Sequence, residues 1–491
     1  MHEMHPRRTD AAAHGPASGE GNGEPGAARS PLERLAARLR GRIVLPRDPG
    51  YDRARAVWNG MIDRRPALVA RCRGDGDVAA CVDFARETGL SLAVRGGGHG
   101  VAGQAVCEGG LVVDLSEMTD TEVDPEGATV RAQGGCTLGD VDRATQRHGL
   151  AASLGVVSAT GIAGLTLSGG MGWLRRKHGL SCDNLTSVRV VTADGRLLTA
   201  NGSEHQDLFW AIRGGGGNLG IVTSFEYRLH SVGPQVFLCN VYYPMARAQE
   251  VLRACERYVT EVPEGAAPLA VLGRIPEAEA FPAAVRGEPF VALLAVSTGA
   301  GETAAEEGER ALRPLRRVTE PLCDLSEATD YTAAQSFLDE DYPDGGLYYW
   351  KSVNTPGLSD TLIERLTEHA AAAPSPDSTI DVWYQGGAMA RVGEEATAFA
   401  NRDVPYLLGI EGNWEHASDS ERNLTWVRDT FADLRTFSAG GVYLNFPGFL
   451  EEGEQLLREG YGGNYERLAA VKAAYDPGNL FRLNANVRPR R

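Results

Sequence analysis

The sequence predicts a protein of the α+β class that is divided into at least two domains. Its 491 residues exceed the size at which a single hydrophobic core stops growing. Glycine is concentrated in one region, because residues 96–220 hold 26 of the 60 glycines. Beyond Gly233 the glycine density falls, and apolar strands alternate with amphipathic helices. This alternation favours an antiparallel sheet with helices packed on one face.

Residues 1–30 form a tail outside this arrangement. They are rich in Ala, Gly, Pro and Ser and contain no apolar run, so we expect them to be disordered. Arg7 and Arg8 resemble a twin-arginine export signal, but the apolar segment that such a signal needs does not follow. No stretch approaches the ~18 apolar residues of a membrane span. The sequence therefore predicts a soluble, cytoplasmic protein with no membrane partner.

The net charge of −16 argues against nucleic acid as a partner, because bulk electrostatics would repel a phosphate backbone. The eight cysteines show neither CxxC pairs nor Cys/His ligand spacing. We expect buried free thiols and no metal site.

The glycine-dense half mixes short strands with helices. One helix is predicted over residues 32–40, and a second, DVAACVDFARETG, ends at Gly89. LSLAVRGGGHG is predicted to be a strand followed by a tight turn. Further elements are the strands GLVVDLSEM, ATVRAQGG and LTSVRVVTADGRLLTA, the last with a hairpin turn at TADG, and the helix DRATQRHG.

The second half contains longer elements. Its predicted strands are VFLCNVYYP, PFVALLAVST, STIDVWYQGG and PYLLGIEGNW, and its predicted helices are ARAQEVLRACERYVTE, SDTLIERLTEHAAAA and RNLTWVRDTFADLR. A last helix stops at Pro477 and Gly478 and is followed by an extended segment that carries Asn484 and Asn486.

Three glycine runs carry the chemical signal. In RGGGHG, Gly96, Gly97 and Gly98 lie between Arg95 and His99, and such a loop can donate backbone N–H groups to a phosphate. It is neither GxGxxG opening a long helix nor GxxxxGK[ST]. Two more runs, GIAGLTLSGGMGWLRRKHGLSCDN and RGGGGNLGIVT, follow. Three loops in one domain suggest one extended ligand that is touched at several points, as a dinucleotide would be.

RPALVARC, VRGGGHG, the second and third glycine runs and the terminal YDPGNLFRLNANV together resemble the berberine-bridge-enzyme-like flavoproteins of the vanillyl-alcohol-oxidase fold. Within that family the sequence is similar to bacterial oxidases of natural products. The resemblance implies a PCMH-type FAD-binding domain formed by residues 31–234 and 440–491. This domain would be split around a substrate domain at residues 235–439, an α+β unit with an antiparallel sheet.

The same resemblance implies FAD as the cofactor, joined through its 8α-methyl group to His99. Many relatives carry a second link through a cysteine, and the matching residue here is Val157, which cannot form a thioether. We therefore expect one covalent bond only. The other FAD contacts that the resemblance implies are Arg95, Gly96, Gly97, Gly98, Gly100, Val157, Ala159, Thr160, Gly161, Gly164, Gly169, Gly170, Gly172, Gly220, Ile221, Val222, Asn484 and Asn486.

Oxidation needs a base that takes a proton from the substrate. Many plant relatives carry a tyrosine two residues after the histidine, but here that residue is Val101. Asp381 is the first candidate, because similar bacterial enzymes have an acidic residue there, and Glu411 and Tyr443 follow. Tyr384 lies three residues after Asp381, so the two should face opposite sides of a regular strand.

Two further residues concern the flavin and oxygen. By resemblance, Thr160 lies near flavin N5, and Leu165 occupies a position that gates oxygen. Ala159 stands where the similar bacterial enzymes have a histidine, which puts an identical reaction in doubt.

The resemblance implies an FAD-dependent oxidase that tailors a secondary metabolite, with a polyketide-type substrate and O2 as partners. Both simple oxidation and oxygen insertion remain open. The first alternative is a carbohydrate oxidase that forms a lactone and H2O2. The second is a flavin-bearing binding protein without turnover. The sequence does not predict the oligomeric state.

Overall fold

The computed structural model describes residues 29–262 and 264–490. The predicted disordered tail lies outside this range except for Arg29 and Ser30. Within it, helices and mostly antiparallel sheets confirm the α+β class.

The first part of the chain forms a four-stranded sheet in the order β1-β2-β4-β3. Its strands are β1 (Arg42–Val44), β2 (Leu68–Arg71), β3 (Leu92–Arg95) and β4 (Leu111–Asp114), and its helices are α1 (Pro31–Arg38), α2 (Tyr51–Arg55) and α3 (Asp75–Thr88). As predicted, α3 ends at Gly89, which has the left-handed conformation that glycine adopts readily. Because β2, β4 and β3 are parallel, their carboxyl ends share one edge, and RGGGHG leaves the sheet there.

An antiparallel five-stranded sheet follows in the order β5-β6-β10-β8-β9. Its strands are β5 (Thr121–Asp124), β6 (Thr129–Gln133), β8 (Leu185–Val191), β9 (Leu197–Asn201) and β10 (Ile221–Arg228), while β7 (Leu150–Ala151) pairs with β11 (His230–Ser231). The helices of this region are α4 (Leu138–Gln146), α5 (Ile162–Leu167), α6 (Arg175–His178) and α7 (Gln206–Ile212). The short helices α5 and α6 lie inside the second glycine run, which the sequence analysis treated as a loop.

The middle of the chain forms an eight-stranded antiparallel sheet in the order β15-β12-β14-β13-β18-β19-β17, with β16 also paired to β12. Its strands are β12 (Gln235–Pro244), β13 (Leu269–Arg274), β14 (Pro289–Val296), β15 (Cys323–Asp324), β16 (Glu327–Asp330), β17 (Leu347–Thr355), β18 (Thr379–Tyr384) and β19 (Tyr406–Trp414). The helices are α8 (Ala248–Glu261), α9 (Ala304–Arg316), α10 (Tyr331–Ser336), α11 (Asp360–Ala371), α12 (Ala388–Arg391) and α13 (Ser420–Leu434). The strands predicted from the sequence correspond to β12, β14, β18 and β19, whereas β13, β15, β16 and β17 were not predicted.

The two faces of this sheet bury different partners. Ile380 and Ile410 belong to a core that includes Leu252 of α8, Leu366 of α11 and Val427 of α13, as expected for helices on one face. The opposite face contributes to a second core that joins it to the glycine-dense part of the chain: Leu269, Trp383 and Leu407 cluster there with Met171 and Trp173. A site between the two parts can therefore draw on both.

The C-terminal helices α14 (Glu454–Tyr461) and α15 (Tyr465–Tyr475) pack against the glycine-dense part. The buried ammonium group of Lys472 lies 2.7 Å from the Asp476 carboxylate and donates to the backbone carbonyls of Asn218 and Phe481. This network ties the last segment to the third glycine run.

The eight cysteines are buried and unpaired, as predicted. Across residues 29–262 and 264–490, none of the helices combines the length and the apolar character needed to cross a bilayer.

Candidate functional site: a cavity between the glycine runs and the sheet

A cavity of about 300 Å³ lies between the two parts of the chain. We call one side the glycine wall: it comprises the lining residues from 92 to 222 and from 481 to 485. We call the other side the sheet wall: it comprises Leu269, Leu338, Tyr342, Trp350, Asp381, Trp383, Glu411 and residues 443–447. All three glycine runs and the C-terminal segment contribute to the cavity.

Most of the predicted site residues line this cavity. They are Gly96, Gly97, Gly98, His99, Gly100, Val157, Thr160, Gly161, Gly164, Leu165, Gly220, Ile221, Val222, Asp381, Glu411, Tyr443 and Asn484. Residues that lie as far apart in sequence as 96 and 484 thus surround one space.

Arg95 is placed differently from the sequence expectation, because it does not line the cavity. Its guanidinium donates two hydrogen bonds to Asp114, at 3.1 and 2.5 Å, and a third, of 3.0 Å, to the carbonyl of Ala56. Arg95 therefore fixes the base of the first glycine loop.

Gly169, Gly170 and Gly172 do not line the cavity, although their neighbours Ser168 and Met171 do. A Cβ on Gly172 would lie 1.5 Å from the carbonyl oxygen of Leu154, and one on Gly170 would lie 2.3 Å from the Ser181 hydroxyl. These glycines are required by close packing of the chain on itself.

Ala159 and Asn486 are likewise absent from the cavity lining. Ala159 is exposed, whereas Val157 and Thr160, on either side of Ser158 and Ala159, line the wall. Asn486 follows the last lining residue, Ala485, and belongs to the part of the C-terminal segment that has left the cavity.

Two kinds of glycine shape the glycine wall. A Cβ on Gly97 would lie 2.5 Å from the amide nitrogen of Gly161, and a Cβ on Gly161 would lie 2.4 Å from that of Gly97, so the first two loops touch through their backbones. Around Gly100 and Gly164, by contrast, a Cβ would meet no protein atom within 4 Å. The first pair holds the loops together, and the second pair leaves open space in the cavity.

His99 lies in the loop that follows β3. It lines the cavity, and its ring stacks on Trp58. The ring centroids of His99 and Trp58 are 4.1 Å apart, and Trp58 stacks in turn on Tyr348 at 3.8 Å. The Nε2 atom is buried and has no hydrogen-bond partner among the described residues. Burial lowers the pKa of His99 to about 4, so the imidazole is neutral at pH 7 and keeps one unprotonated ring nitrogen.

Two other polar groups in the glycine wall have unpaired atoms. Asn484 donates to the carbonyls of Gly217 and Phe481, yet its Oδ1 has no partner in the described chain, and the same holds for Gln104 Nε2. Buried polar groups are normally hydrogen-bonded. Together with the open space beside Gly100 and Gly164, these donors and acceptors fit a large polar cofactor such as FAD.

Gln104 was missed by the sequence analysis, which ended the first loop at Gly100. The signal was present, because GVAGQAV continues with small residues and another glycine instead of a helix or strand pattern.

A pair of carboxyl groups stands on the sheet wall. Asp381 of β18 pairs in register with Gly409 of β19, and Glu411 lies two residues further along the same face. The two carboxyl groups share a hydrogen bond. Thr379 donates to Asp381 Oδ1 at 3.1 Å, and Tyr342 donates to Glu411 Oε2 at 2.8 Å.

Burial sets the protonation of this pair. Both side chains are about 2% exposed, and within residues 29–262 and 264–490 no cationic side chain forms an ion pair with either of them. Burial raises the pKa of Glu411 to about 7, and burial together with the Glu411 charge raises the pKa of Asp381 well above its usual value. At neutral pH the pair therefore holds a proton on Asp381 and leaves Glu411 near its titration point, so one group can donate while the other accepts.

The two tyrosine candidates have different positions. Tyr443 lines the cavity, and its hydroxyl accepts from Asn445 at 2.8 Å and from the Met171 amide at 3.2 Å. Burial raises the pKa of Tyr443 to about 12, so the phenol keeps its proton and is poorly suited as a base. Tyr384 does not line the cavity: it faces the helices and donates to the carbonyl of Leu252 at 2.9 Å, which removes it from the catalytic candidates.

Aromatic rings complete the sheet wall, and the sequence analysis missed them. Trp350 lies on the unpredicted strand β17, and its ring is 5.3 Å from Phe446 and 5.4 Å from Tyr342. Trp383 lies on β18, two residues after Asp381. Because both faces of these two strands are buried, the sequence does not show which face borders a cavity.

Comparisons with known proteins agree with this geometry. Residues 66–201 match a family model described as an FAD binding domain, and residues 442–488 match one described as berberine and berberine-like. The chain is 31% identical over 471 residues to an FAD-linked oxidoreductase of Bacillus subtilis, which covers 92% of this chain and 98% of that protein.

A second relative is the (R)-6-hydroxynicotine oxidase of Paenarthrobacter nicotinovorans, with 30% identity over 464 residues, 92% of this chain and 97% of that protein. Among solved structures, 6-hydroxy-D-nicotine oxidase from Arthrobacter nicotinovorans matches with a TM-score of 0.81 and 28% identity, covering 92% of this chain and 98% of that one.

Proposed function

The chain belongs to the berberine-bridge-enzyme-like family of FAD-linked oxidoreductases, and we propose that it oxidises a ring-bearing secondary metabolite of the polyketide type with O2 as the electron acceptor. The observation that carries the proposal is the Asp381–Glu411 pair, which faces the glycine wall across a cavity lined by aromatic rings. FAD, when bound, accepts the hydride from the substrate. The protein must then position the substrate and manage its proton.

We place the covalent link to FAD at His99. Its neutral imidazole and its position in the glycine wall support this assignment. Val157 lines the same wall and has no sulfur, so a single link is expected. Gly100, Gly164, Gln104 and Asn484 would contact the cofactor without covalent bonds.

Glu411 is the proposed base. Tyr342 donates to its Oε2, and Asp381 shares a hydrogen bond with it, so the carboxylate is held by two neighbours before substrate binds. A base with a pKa of about 7 is matched to work at neutral pH. Asp381, whose pKa is higher, acts as the proton-holding partner of the pair.

The form of the sheet wall supports a planar, largely apolar substrate. Trp350, Trp383 and Phe446 line the cavity with aromatic rings, while the polar groups of this wall come from the carboxyl pair, Tyr342, Tyr443 and Asn445. Aromatic surfaces with a few fixed polar groups are typical of sites for ring-shaped small molecules.

The test is substrate-dependent bleaching of the flavin. Under anaerobic conditions, hydroxylated polyketides should bleach the flavin absorbance of the purified protein, and in air the same compounds should yield peroxide or an oxygenated product. A panel of sugars serves as the comparison. Bleaching by sugars alone would replace this function with carbohydrate oxidation, and no bleaching by any compound would favour a binding protein without turnover.

A further inference from the structure

The indole ring of Trp58 lies between the two walls of the cavity and contacts both. On the glycine side, it stacks on the His99 ring with centroids 4.1 Å apart. On the sheet side, it stacks on Tyr348 of β17 at 3.8 Å and packs edge-on against Trp350 at 5.3 Å. Trp58 itself does not line the cavity. Any effect that it has on the site must therefore pass through its neighbours.

The backbone around Trp58 is held by hydrogen bonds to the same two sides. The Trp58 amide donates to the carbonyl of Gly98 at 3.2 Å, and its carbonyl accepts from the amide of Gly345 at 2.8 Å. The side chain of the next residue, Asn59, donates to the carbonyl of Tyr348 at 2.9 Å and accepts from the Tyr348 amide at 3.2 Å. Trp58 is also buried. The ring therefore has a fixed position before any ligand binds.

A chain of hydrogen bonds runs from the Trp58 indole to the proposed base. The indole N–H donates to the backbone carbonyl of Tyr342 at 2.9 Å, and the hydroxyl of the same tyrosine donates to Glu411 Oε2 at 2.8 Å. Tyr342 lies between a helical turn (Asp339–Asp341) and β17, so neither a helix nor a strand fixes its backbone. The bond from Trp58 supplies a restraint that the local structure lacks.

We propose that Trp58 is a positioning residue that sets the place of Glu411 relative to His99, through Tyr342. Its N–H keeps the Tyr342 hydroxyl aimed at Glu411, and its stack on His99 ties this arrangement to the residue to which we assign the flavin. A base must lie within hydrogen-bond reach of the proton that it removes, and small displacements of reacting groups lower the rate. The role of Glu411 as base rests on the proposed function, whereas the restraint on Tyr342 can be measured without turnover.

The chain has a measurable consequence for the charge of Glu411. Burial raises the pKa of Glu411 to about 7, and the hydrogen bond from Tyr342 opposes this rise because it favours the charged carboxylate. The other titratable groups that act on Glu411 are Asp381 of β18, which shares a hydrogen bond with it, and Asp341, whose charge raises its pKa. Loosening Tyr342 should therefore raise the pKa of Glu411 further.

The experiment titrates the Glu411 carboxyl group in the flavin-loaded protein without a ligand. Infrared absorbance follows the protonated carboxyl group, and the band that is missing from Glu411→Gln assigns it. Trp58→Phe keeps an aromatic ring against His99 and removes the N–H that Tyr342 accepts. It should raise the titration midpoint by about half to one pH unit, whereas Tyr342→Phe should raise it by about one to two units. Both variants should keep the flavin content of the wild type.

Combining the two substitutions tests whether they act along one chain. Because Trp58 acts through Tyr342, the double variant should have the midpoint of Tyr342→Phe alone. Trp210→Phe is the matched control, since Trp210 is also buried and its N–H donates to the carbonyl of Glu395 at 2.8 Å, but it does not line the cavity. Its midpoint should equal that of the wild type.

Three results would overturn the inference. The first is a Trp58→Phe variant that titrates like the wild type, or a Trp210→Phe variant that shifts as much as Trp58→Phe. The second is a double variant that shifts further than Tyr342→Phe, because Trp58 would then act by another route. The third is loss of flavin from Trp58→Phe, because the indole would then serve the cofactor.

These outcomes are separable from those of the proposed function. A midpoint that depends on Trp58 and Tyr342, in a protein whose flavin is bleached by no compound, would retain the restraint and reject the oxidase. Turnover of a hydroxylated polyketide, with a midpoint that Trp58→Phe leaves unchanged, would retain the oxidase and reject the inference.

Discussion

The glycine wall and the sheet wall differ in what they present to the cavity. The glycine wall offers backbone, small side chains and a neutral His99, and two of its loops touch through Gly97 and Gly161. The sheet wall offers aromatic rings and the Asp381–Glu411 pair. Backbone groups suit a large cofactor that is held the same way in every turnover, whereas fixed side chains suit a substrate that must be recognised and deprotonated.

The comparison predicts that substitutions in the glycine wall affect retention of the flavin, whereas substitutions in the sheet wall affect the catalytic rate. The largest expected effect is on the glycine wall. In His99→Ala, all of the flavin should pass into the supernatant when the protein is precipitated with acid, because the proposed bond is gone. In the wild-type protein the flavin should stay in the pellet.

His148→Ala is the control, because His148 is exposed and does not line the cavity. It should keep its flavin in the pellet. Flavin that leaves wild-type protein in acid would reject the covalent assignment to His99.

The next largest effect is expected on the sheet wall. Glu411→Gln should lower kcat by about 10²- to 10⁴-fold, the usual contribution of a positioned general base. Its flavin content should match the wild type, because Glu411 lies across the cavity from the glycine runs. The checks are steady-state kinetics and the ratio of flavin to protein absorbance.

Glu415→Gln is the matched control, since Glu415 follows the same strand and is exposed. If kcat fell by less than tenfold in Glu411→Gln, the base would have to be another residue. Loss of flavin in that variant would contradict the view that the glycine wall holds the cofactor and the sheet wall acts on the substrate.

The same division explains what the sequence could predict. The glycine runs could be recognised from the sequence because each close backbone contact requires glycine at that position. Where Gly97 approaches Gly161, for example, the backbones leave no room for a Cβ. The roles of His99 and Val157 came from the resemblance to a family. Gly170 and Gly172 belong to the same run but pack closely against Ser181 and Leu154. Sequence alone does not distinguish a glycine that faces a ligand from one that faces the chain.

The sheet wall was less readable because tertiary register creates it. Asp381 and Glu411 are 30 residues apart and meet only because β18 pairs with β19 in one particular alignment. Trp350 lies on β17, a strand buried over nearly its whole length, so its sequence lacks the alternation that marks a half-exposed strand. The hydrogen bond from Tyr342 to Glu411 spans 69 residues and has no local signature.

A third prediction separates the two kinds of glycine. It is made in the His99→Ala background, from which flavin can be removed. Gly97→Ala should lower the free energy of unfolding of the flavin-free protein by about 1–3 kcal/mol, because the new Cβ would lie 2.5 Å from the Gly161 nitrogen. Urea unfolding measures this change.

Gly164→Ala is the counterpart. Its Cβ meets no protein atom, and alanine favours the helix α5, so the flavin-free protein should be as stable as its parent or more so. Its affinity for added FAD should fall by about tenfold if the cofactor occupies that space. Unchanged FAD affinity would show that the open space beside Gly164 is not used.

The smallest expected effect concerns the pH dependence of stability and rate. It compares two buried carboxyl groups, Glu411 and Asp142. Burial raises the pKa of Glu411 from 4.5 to about 7, so between these values the folded protein holds a proton that the unfolded chain releases. Its stabilisation is complete below pH 4.5 and is lost as the pH rises through 7, by up to about 1.4 kcal/mol per pH unit. The rate has the opposite slope, because deprotonated Glu411 is the base.

Asp142 of α4, whose pKa burial also raises to about 7, lies outside the cavity lining and hydrogen-bonds to Gln335. Asp142→Asn should therefore reduce the slope of stability against pH from 5 to 7 and leave the slope of the rate intact, whereas Glu411→Gln should reduce both. Urea unfolding and kcat at several pH values measure the two slopes, and a rate profile that changes in Asp142→Asn as much as in Glu411→Gln would mean that the titration of the rate does not belong to the sheet wall.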